Sequence, residues 1–217
     1  MKKRCIIITA YLETEIRANV NIRPDDYIVC ADGGFEFAIK EKIIPNIIIG
    51  DFDSSDFSII EEKIKDDPKM KQTKIIKTQP EKDDTDTLMC VSHGIEKGLK
   101  DFIIIGGLGG RLDHTIANIQ ILSYLLDQGC KGCILDGRKV DMIKGPDKIV
   151  LENEGFKYFS AFSYTDQCTG VYETDSKYPL DNAVLNQSYP IGTSNEFLKN
   201  SATVKVGEGK LLIIRTD

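Results

Sequence analysis

The chain has no tryptophan and only two histidines among 217 residues, and no apolar run approaches the length needed to cross a bilayer. It has no surplus of positive charge either. A net charge of −6 removes the electrostatic footprint expected of a nucleic-acid binder. Neither nucleic acid nor a membrane is therefore expected as a partner. The opening "MKKRCIIITAYLETE" lacks a small-residue cleavage site, and its apolar part, "CIIITA", reads as a first strand, so the expected compartment is the cytoplasm. Six cysteines (5, 30, 90, 130, 133 and 168) sit in apolar surroundings. In a chain of this length without a signal peptide they read as buried thiols, and "CKGC" at 130–133 has no second pair to make a zinc site.

What is present is an ordinary globular balance, 41% hydrophobic and 29% charged, enough for one large domain or two modest ones. Short β-branched runs recur at 4–10, 26–31, 46–51, 73–78, 101–107 and 131–136, each followed by a helix-like segment. Near-continuous Ile and Val suit strands buried on both faces, the parallel-sheet pattern. The segments around 84–99 and 113–129 are the strongest helices. Leu88, Val91, Ile95 and Leu99 mark the inner face of the first, and Ile116, Ile119 or Gln120, and Ser123 with the neighbouring leucines that of the second.

From about residue 139 the rhythm changes to short strands with turn residues between them and no helix. The expected architecture is α/β: a Rossmann-like parallel-sheet domain over 1–138, then a small all-β sandwich over 139–217. "SYPIGTSNEF" (188–197) reads as an exposed loop of the second domain.

In an open parallel sheet, ligands bind beyond the carboxyl ends of the strands, so the residues there should converge. They are selective: "ADGG" (Asp32), "GDFDSS" (Asp51, Asp53), "EKDDTD" (Lys82, Asp83, Asp84, Asp86) and "GGLGGRLDH" (Arg111, Asp113, His114). Asp51 and Asp53 stand at i and i+2, which aims both carboxylates one way in an extended segment. Like charges so placed repel unless a cation joins them, and Mg²⁺ takes oxygen ligands while keeping substrate phosphate and water in its shell. Helix capping is the competing account of Asp53 or Ser54, Asp84 and Asp113 individually. "GGLGGR" matches neither standard phosphate loop, yet its glycines admit close approach of an anion and Arg111 offers a bidentate contact. "DFDSS" is also similar to the nucleophile motif of haloacid-dehalogenase-type phosphatases. It follows the third strand here rather than the first, which leaves a phospho-aspartate mechanism as a minor alternative. His93, inside a helix, reads as structural.

Taken in order, "ADGG", "GDFDS", "KDDTD" and "GGLGGRLDH", with "YPL" at 178–180 and "GTSNEF" at 192–197, resemble the signature of the thiamin pyrophosphokinase family over nearly the whole chain. The resemblance implies transfer of diphosphate from ATP to thiamin, giving AMP and thiamin diphosphate. It implies a homodimer with active sites in clefts between subunits. It implies that Asp51, Asp53, Asp83 and Asp86 hold Mg²⁺ and the triphosphate, with Asp32 nearby. Lys82 and Arg111 would meet phosphate oxygens, Asp113 and His114 would hold that loop, and Ser194 and Asn195 would bind thiamin. Without tryptophan, an aromatic wall for the flat pyrimidine falls to Tyr178, Tyr189 or Phe197. Two other readings share part of this pattern: a Mg²⁺-dependent nucleotide hydrolase or kinase of another small alcohol, and a non-catalytic nucleotide or thiamin sensor.

Overall fold

A computed structural model describes residues 3–52, 57–79 and 84–217. They form two compact units, Met1–Ile121 with Gln128–Gly137 and Leu122–Asp127 with Arg138–Asp217.

The first unit carries strands β1 (Cys5–Ile8), β2 (Tyr27–Ala31), β3 (Ile47–Gly50), β4 (Lys74–Lys77), β5 (Asp101–Ile105) and β6 (Lys131–Leu135). All neighbours are parallel, in the order β4-β3-β2-β1-β5-β6. The residues of β1 and β3 are buried throughout, as their unbroken isoleucine runs require. Between the strands lie α1 (Ile16–Asn19), α2 (Gly34–Lys40), α3 (Phe57–Asp66) and α4 (Asp86–Glu96), with α5 (Leu112–Asp127) after β5. One core cluster joins Ile6, Ile8, Ile48 and Ile105 of the sheet to Phe35 and Ala38 of α2. At the start of α2 a Cβ on Gly34 would fall 2.2 Å from the Ile8 carbonyl oxygen, so only glycine lets the helix close onto β1 there.

Three details depart from the sequence reading. The fifth strand stops at Ile105 rather than 107, because Gly106 and Gly107 take φ of +88° and +77°, outside the extended region. On α5 the buried stripe is Asn118, Ile121, Leu122 and Leu125, so the leucines beside Ser123 are buried as expected while Ile116 is 52% exposed. The packing surface selected a neighbouring face of a helix that is apolar on several sides. Finally, α4 is capped by Thr85, whose hydroxyl accepts the Leu88 N–H at 3.2 Å, and not by Asp84.

The second unit contains β7 (Lys139–Lys144), β8 (Asp147–Glu152), β9 (Tyr158–Ser163), β10 (Gln167–Thr174), β11 (Leu180–Asn186), β12 (Asn195–Glu196), β13 (Ser201–Val206) and β14 (Lys210–Thr216). They pair antiparallel in the orders β12-β9-β14-β7 and β11-β10-β13-β8. Leu151, Val171, Leu185 and Val204 from one group and Phe159, Ala161, Leu211 and Ile213 from the other share one hydrophobic cluster. Arg215 is buried with Asp141, its guanidinium donating to the carboxylate at 2.7 Å and to the Glu152 carbonyl at 3.0 Å.

The expected exposed loop at 188–197 is only partly one. Tyr189 and Ile191 are exposed, but Asn195 is buried and pairs with Phe159 as part of β12. All six cysteines are free thiols, five buried and Cys133 half-buried. Among the described residues no helix is long and apolar enough to cross a membrane.

Candidate active site

The order of the first sheet makes β1 and β5 its turning point. Strands β1 to β4 run outward on one side, and the chain then returns to β5 on the other flank of β1. A crevice is expected where the loops after such strands diverge. A cavity of about 580 Å³ lies there, within the range of small-molecule sites.

Five of the residues expected from the sequence line it: Asp32, Asp51, Asp86, Arg111 and His114. Each arrives on a different piece of local chemistry. Asp32 follows β2 with φ of +43°, its N–H donating to the Ile49 carbonyl at 2.8 Å. Gly50, last in β3, leaves room for it, since a Cβ there would come within 2.9 Å of the Asp32 Cα. Asp51 follows directly. Asp86 opens α4 behind the Thr85 cap, at the positive end of the helix.

Arg111 and His114 lie at the start of α5, after the glycine turn. The Arg111 guanidinium donates to both Asp113 oxygens, at 3.2 Å and 2.6 Å, and Asp113 also accepts the His114 N–H at 3.0 Å. The Arg111 hydrogen bond holds the Asp113 carboxyl below the usual carboxylate range, and the carboxylate in turn raises the guanidinium. Both side chains are exposed, so the pair orients Arg111 at the cavity mouth and adds little to stability. Asp53, Lys82 and Asp83 lie outside the described residues.

The sequence reading missed the end of β1. Thr9, Ala10 and Tyr11 line the same cavity, as do Thr85, Thr87 and Asn118. Thr9 donates its hydroxyl to the Ile105 and Tyr11 carbonyls, each at 3.1 Å, and so ties the β1 and β5 ends together. Asn118 donates to the Gly107 carbonyl at 3.0 Å and fixes the glycine turn from behind. A Cβ on Gly107 would lie 2.4 Å from that amide nitrogen. The signal for the β1 end was "TAYLE", polar residues closing a buried strand, but only the strand order gives it meaning.

Asp51 and Asp86 present hard oxygen donors on one cavity. Among the described residues no three His, Cys, Asp or Glu stand together as a metal-binding group. Magnesium commonly uses one or two carboxylates with phosphate and water completing its shell, so the residues present fit that ion.

The second unit has its own small cavity, about 140 Å³, between Tyr178, Ile191, Thr193 and Asn195, with Glu173 at its wall. Burial pushes the Glu173 carboxyl up to about 7, against the opposing hydrogen bond from Asn195. Ser194 is exposed at φ of +59° and adjoins Asn195, whose amide is engaged inside the unit. Of the expected aromatic residues, Tyr178 and Tyr189 are exposed at 59% and 67%. Phe197 instead packs on Phe159 with ring centroids 5.0 Å apart.

The thiamin pyrophosphokinase catalytic domain matches residues 20–134, and the thiamin pyrophosphokinase vitamin B1 binding domain matches residues 148–211. The chain belongs to the thiamin pyrophosphokinase family. Thiamine pyrophosphokinase of Bacillus subtilis is 28% identical over 186 residues, 85% of each chain. Thiamin pyrophosphokinase 1 of Caenorhabditis elegans is 28% identical over 196 residues, covering 82% of this chain and 76% of that one. The crystal structure of thiamine pyrophosphokinase from Bacillus subtilis superposes with a TM-score of 0.87 at 25% identity, over the whole of both chains. The yeast thiamin pyrophosphokinase structure, at 17% identity and a TM-score of 0.72 over 99% of this chain and 86% of that one, shares the fold. The hydrolase and sensor readings are not favoured by these matches.

Proposed function

We propose that the protein transfers the diphosphoryl group of ATP to the hydroxyl of thiamin, releasing AMP and thiamin diphosphate. The observation that carries this reading is the pair of family matches, one over each part of the chain. The acidic cavity with one arginine at its mouth is chemically suited to a metal-bound triphosphate.

Residues 1–138 serve as a Rossmann-like domain for ATP and Mg²⁺, and 139–217 as a β-sandwich for thiamin. Asp51 and Asp86, with Asp53 and Asp83, hold Mg²⁺, and Asp32 adds negative charge at the same strand ends. Arg111, aimed by Asp113, and Lys82 take phosphate oxygens, with His114 beside them. In the second domain Ser194 faces the substrate and Asn195 supports it from behind. The thiamin oxygen attacks the β-phosphorus in line. The new O–P bond forms as the bond to the α-phosphate oxygen breaks, AMP leaves, and an aspartate of the cluster takes the hydroxyl proton. Mg²⁺, when bound, supplies charge stabilisation to the transferred group.

The chain acts in the cytoplasm as a homodimer. The exposed pair Leu112 and Ile116, one turn apart on α5, supports an assembly that covers it. Light scattering on the eluting protein tests the dimer, and a monomer at micromolar concentration overturns it.

Purified protein with thiamin, ATP and Mg²⁺, followed by chromatography of all products, tests the reaction. Equal AMP and thiamin diphosphate, abolished by EDTA, is the expected result. ADP with thiamin monophosphate would move the attack to the γ-phosphorus. No thiamin-dependent product from folded protein would overturn the reading.

A further inference from the structure

Glu173 is the least expected side chain in the second unit. It is the last residue but one of β10, between cross-strand neighbours Leu180 on β11 and Val204 on β13, and is 1% exposed. One carboxylate oxygen accepts the Asn195 amide N–H at 2.6 Å, while the other is buried with no hydrogen-bond partner. An acid so placed does not serve stability, because an apolar residue of its size would avoid the desolvation. Its retention calls for another reason.

That reason lies in what Asn195 does. Its second amide hydrogen goes to the Tyr178 carbonyl at 2.8 Å, and its oxygen accepts the N–H groups of Tyr178 and Glu196, each at 3.0 Å. The amide is saturated, so it joins the 178 and 196 segments in one orientation only. Between them, Gly192 packs with its Cα against the Ala161 carbonyl, where a Cβ would stand 2.1 Å away. The Ser194 N–H donates to the Ser160 hydroxyl at 2.9 Å. Ser194 itself is held at φ of +59°, a conformation a serine rarely adopts unless its surroundings impose it.

We propose that Glu173 is a positioning residue for thiamin: by holding Asn195 it fixes the turn that presents Ser194 to the substrate. The proposal rests on the reading of this unit as the thiamin-binding one. A turn set in advance spares the substrate the ordering of the backbone on binding, so the effect belongs to thiamin affinity and not to ATP.

Glu173→Met keeps length and unbranched shape and removes the acceptor. Steady-state kinetics should show KM for thiamin raised about tenfold, the scale of one buried hydrogen bond. KM for ATP should stay within about twofold. Glu173→Gln, whose amide oxygen still accepts from Asn195, should restore KM for thiamin to near the wild-type value. Should Glu173→Met fail to fold, Glu173→Asp draws the carboxylate back by one methylene and should raise KM for thiamin alone in the same way. An unchanged KM for thiamin in a folded variant overturns the proposal, as does a parallel rise in both KM values. Wild-type protein that gives no thiamin-dependent AMP overturns the proposed function instead, and the two failures are told apart by that control.

Discussion

Asp113 and Glu173 are two acids, each accepting a hydrogen bond of 2.6 Å, whose affinities for a proton move in opposite directions. Asp113 stands exposed beside Arg111, and the guanidinium pulls its carboxyl below the usual range. Glu173 lies in the interior beside a neutral amide, and burial pushes its carboxyl up to about 7 despite that bond. The shortest bond is 2.6 Å in each case, but Asp113 accepts two more, from Arg111 at 3.2 Å and from the His114 N–H at 3.0 Å. The hydrogen bond from a charged donor sets the direction for Asp113, and burial sets it for Glu173. The first unit keeps Asp113 at a wet surface beside a guanidinium, where its carboxyl releases a proton readily. The second buries Glu173 beside a neutral amide.

The largest expected effect tests the wet side. Asp51→Asn should lower turnover by about a hundredfold or more, as loss of a charge-stabilising group at a reacting centre does. AMP formation measured by chromatography reports it, and the circular dichroism spectrum should be unchanged. Near-normal turnover would remove Asp51 from the metal reading.

Next comes the dry acid. Its folded pKa, about 7, lies above the ordinary value of 4.5, so the folded state keeps a proton that the unfolded chain releases. Its contribution to stability is therefore full below pH 4.5 and is lost as pH rises to about 7. The loss is at most about 3 kcal/mol across that window. Urea unfolding at a series of pH values should show the slope in the wild type and not in Glu173→Gln. A slope that survives in the variant would assign it to other groups.

Arg111→Ala should raise KM for ATP about tenfold, the scale of a lost charge-assisted contact to phosphate. Asp113→Asn should produce the smallest change: no measurable shift in melting temperature, and a modest rise in KM for ATP from a less well-aimed arginine. A large loss of stability in Asp113→Asn would make the exposed pair structural and break the contrast with Glu173.

The two regions also differ in how far the sequence discloses them. The six apolar runs of the first unit announce its strands, since β-branched residues buried on two faces leave little alternative. Residues closing those strands, such as Asp51, are then placed at one end of the sheet by direction alone. What the runs do not contain is their lateral order. Thr9, Tyr11 and Asn118 enter the cavity because β5 returns to the flank of β1, a fact of topology with no local signature. Ile116 differs from expectation for a related reason: on an apolar helix the buried stripe is chosen by packing, which takes Asn118 with the leucines beside Ser123 and leaves Ile116 outside.

In the second unit the decisive pair, Glu173 and Asn195, is 22 residues apart and meets only through strand pairing. A glutamate within "GVYET" looks like one more outward position of an alternating strand.

The saturated amide of Asn195 also bears on how the protein ages. Hydrolysis of that amide, the slow chemical change to which asparagine is prone, would replace its nitrogen with an oxygen 2.6 Å from a Glu173 oxygen. Two carboxyl groups at that distance cannot both ionise and must share a proton, and the bond to the Tyr178 carbonyl would survive only if that proton were placed there. A single deamidation in the interior would thus make a fixed joint depend on one shared proton, with no change in chain length and a mass difference of about one dalton.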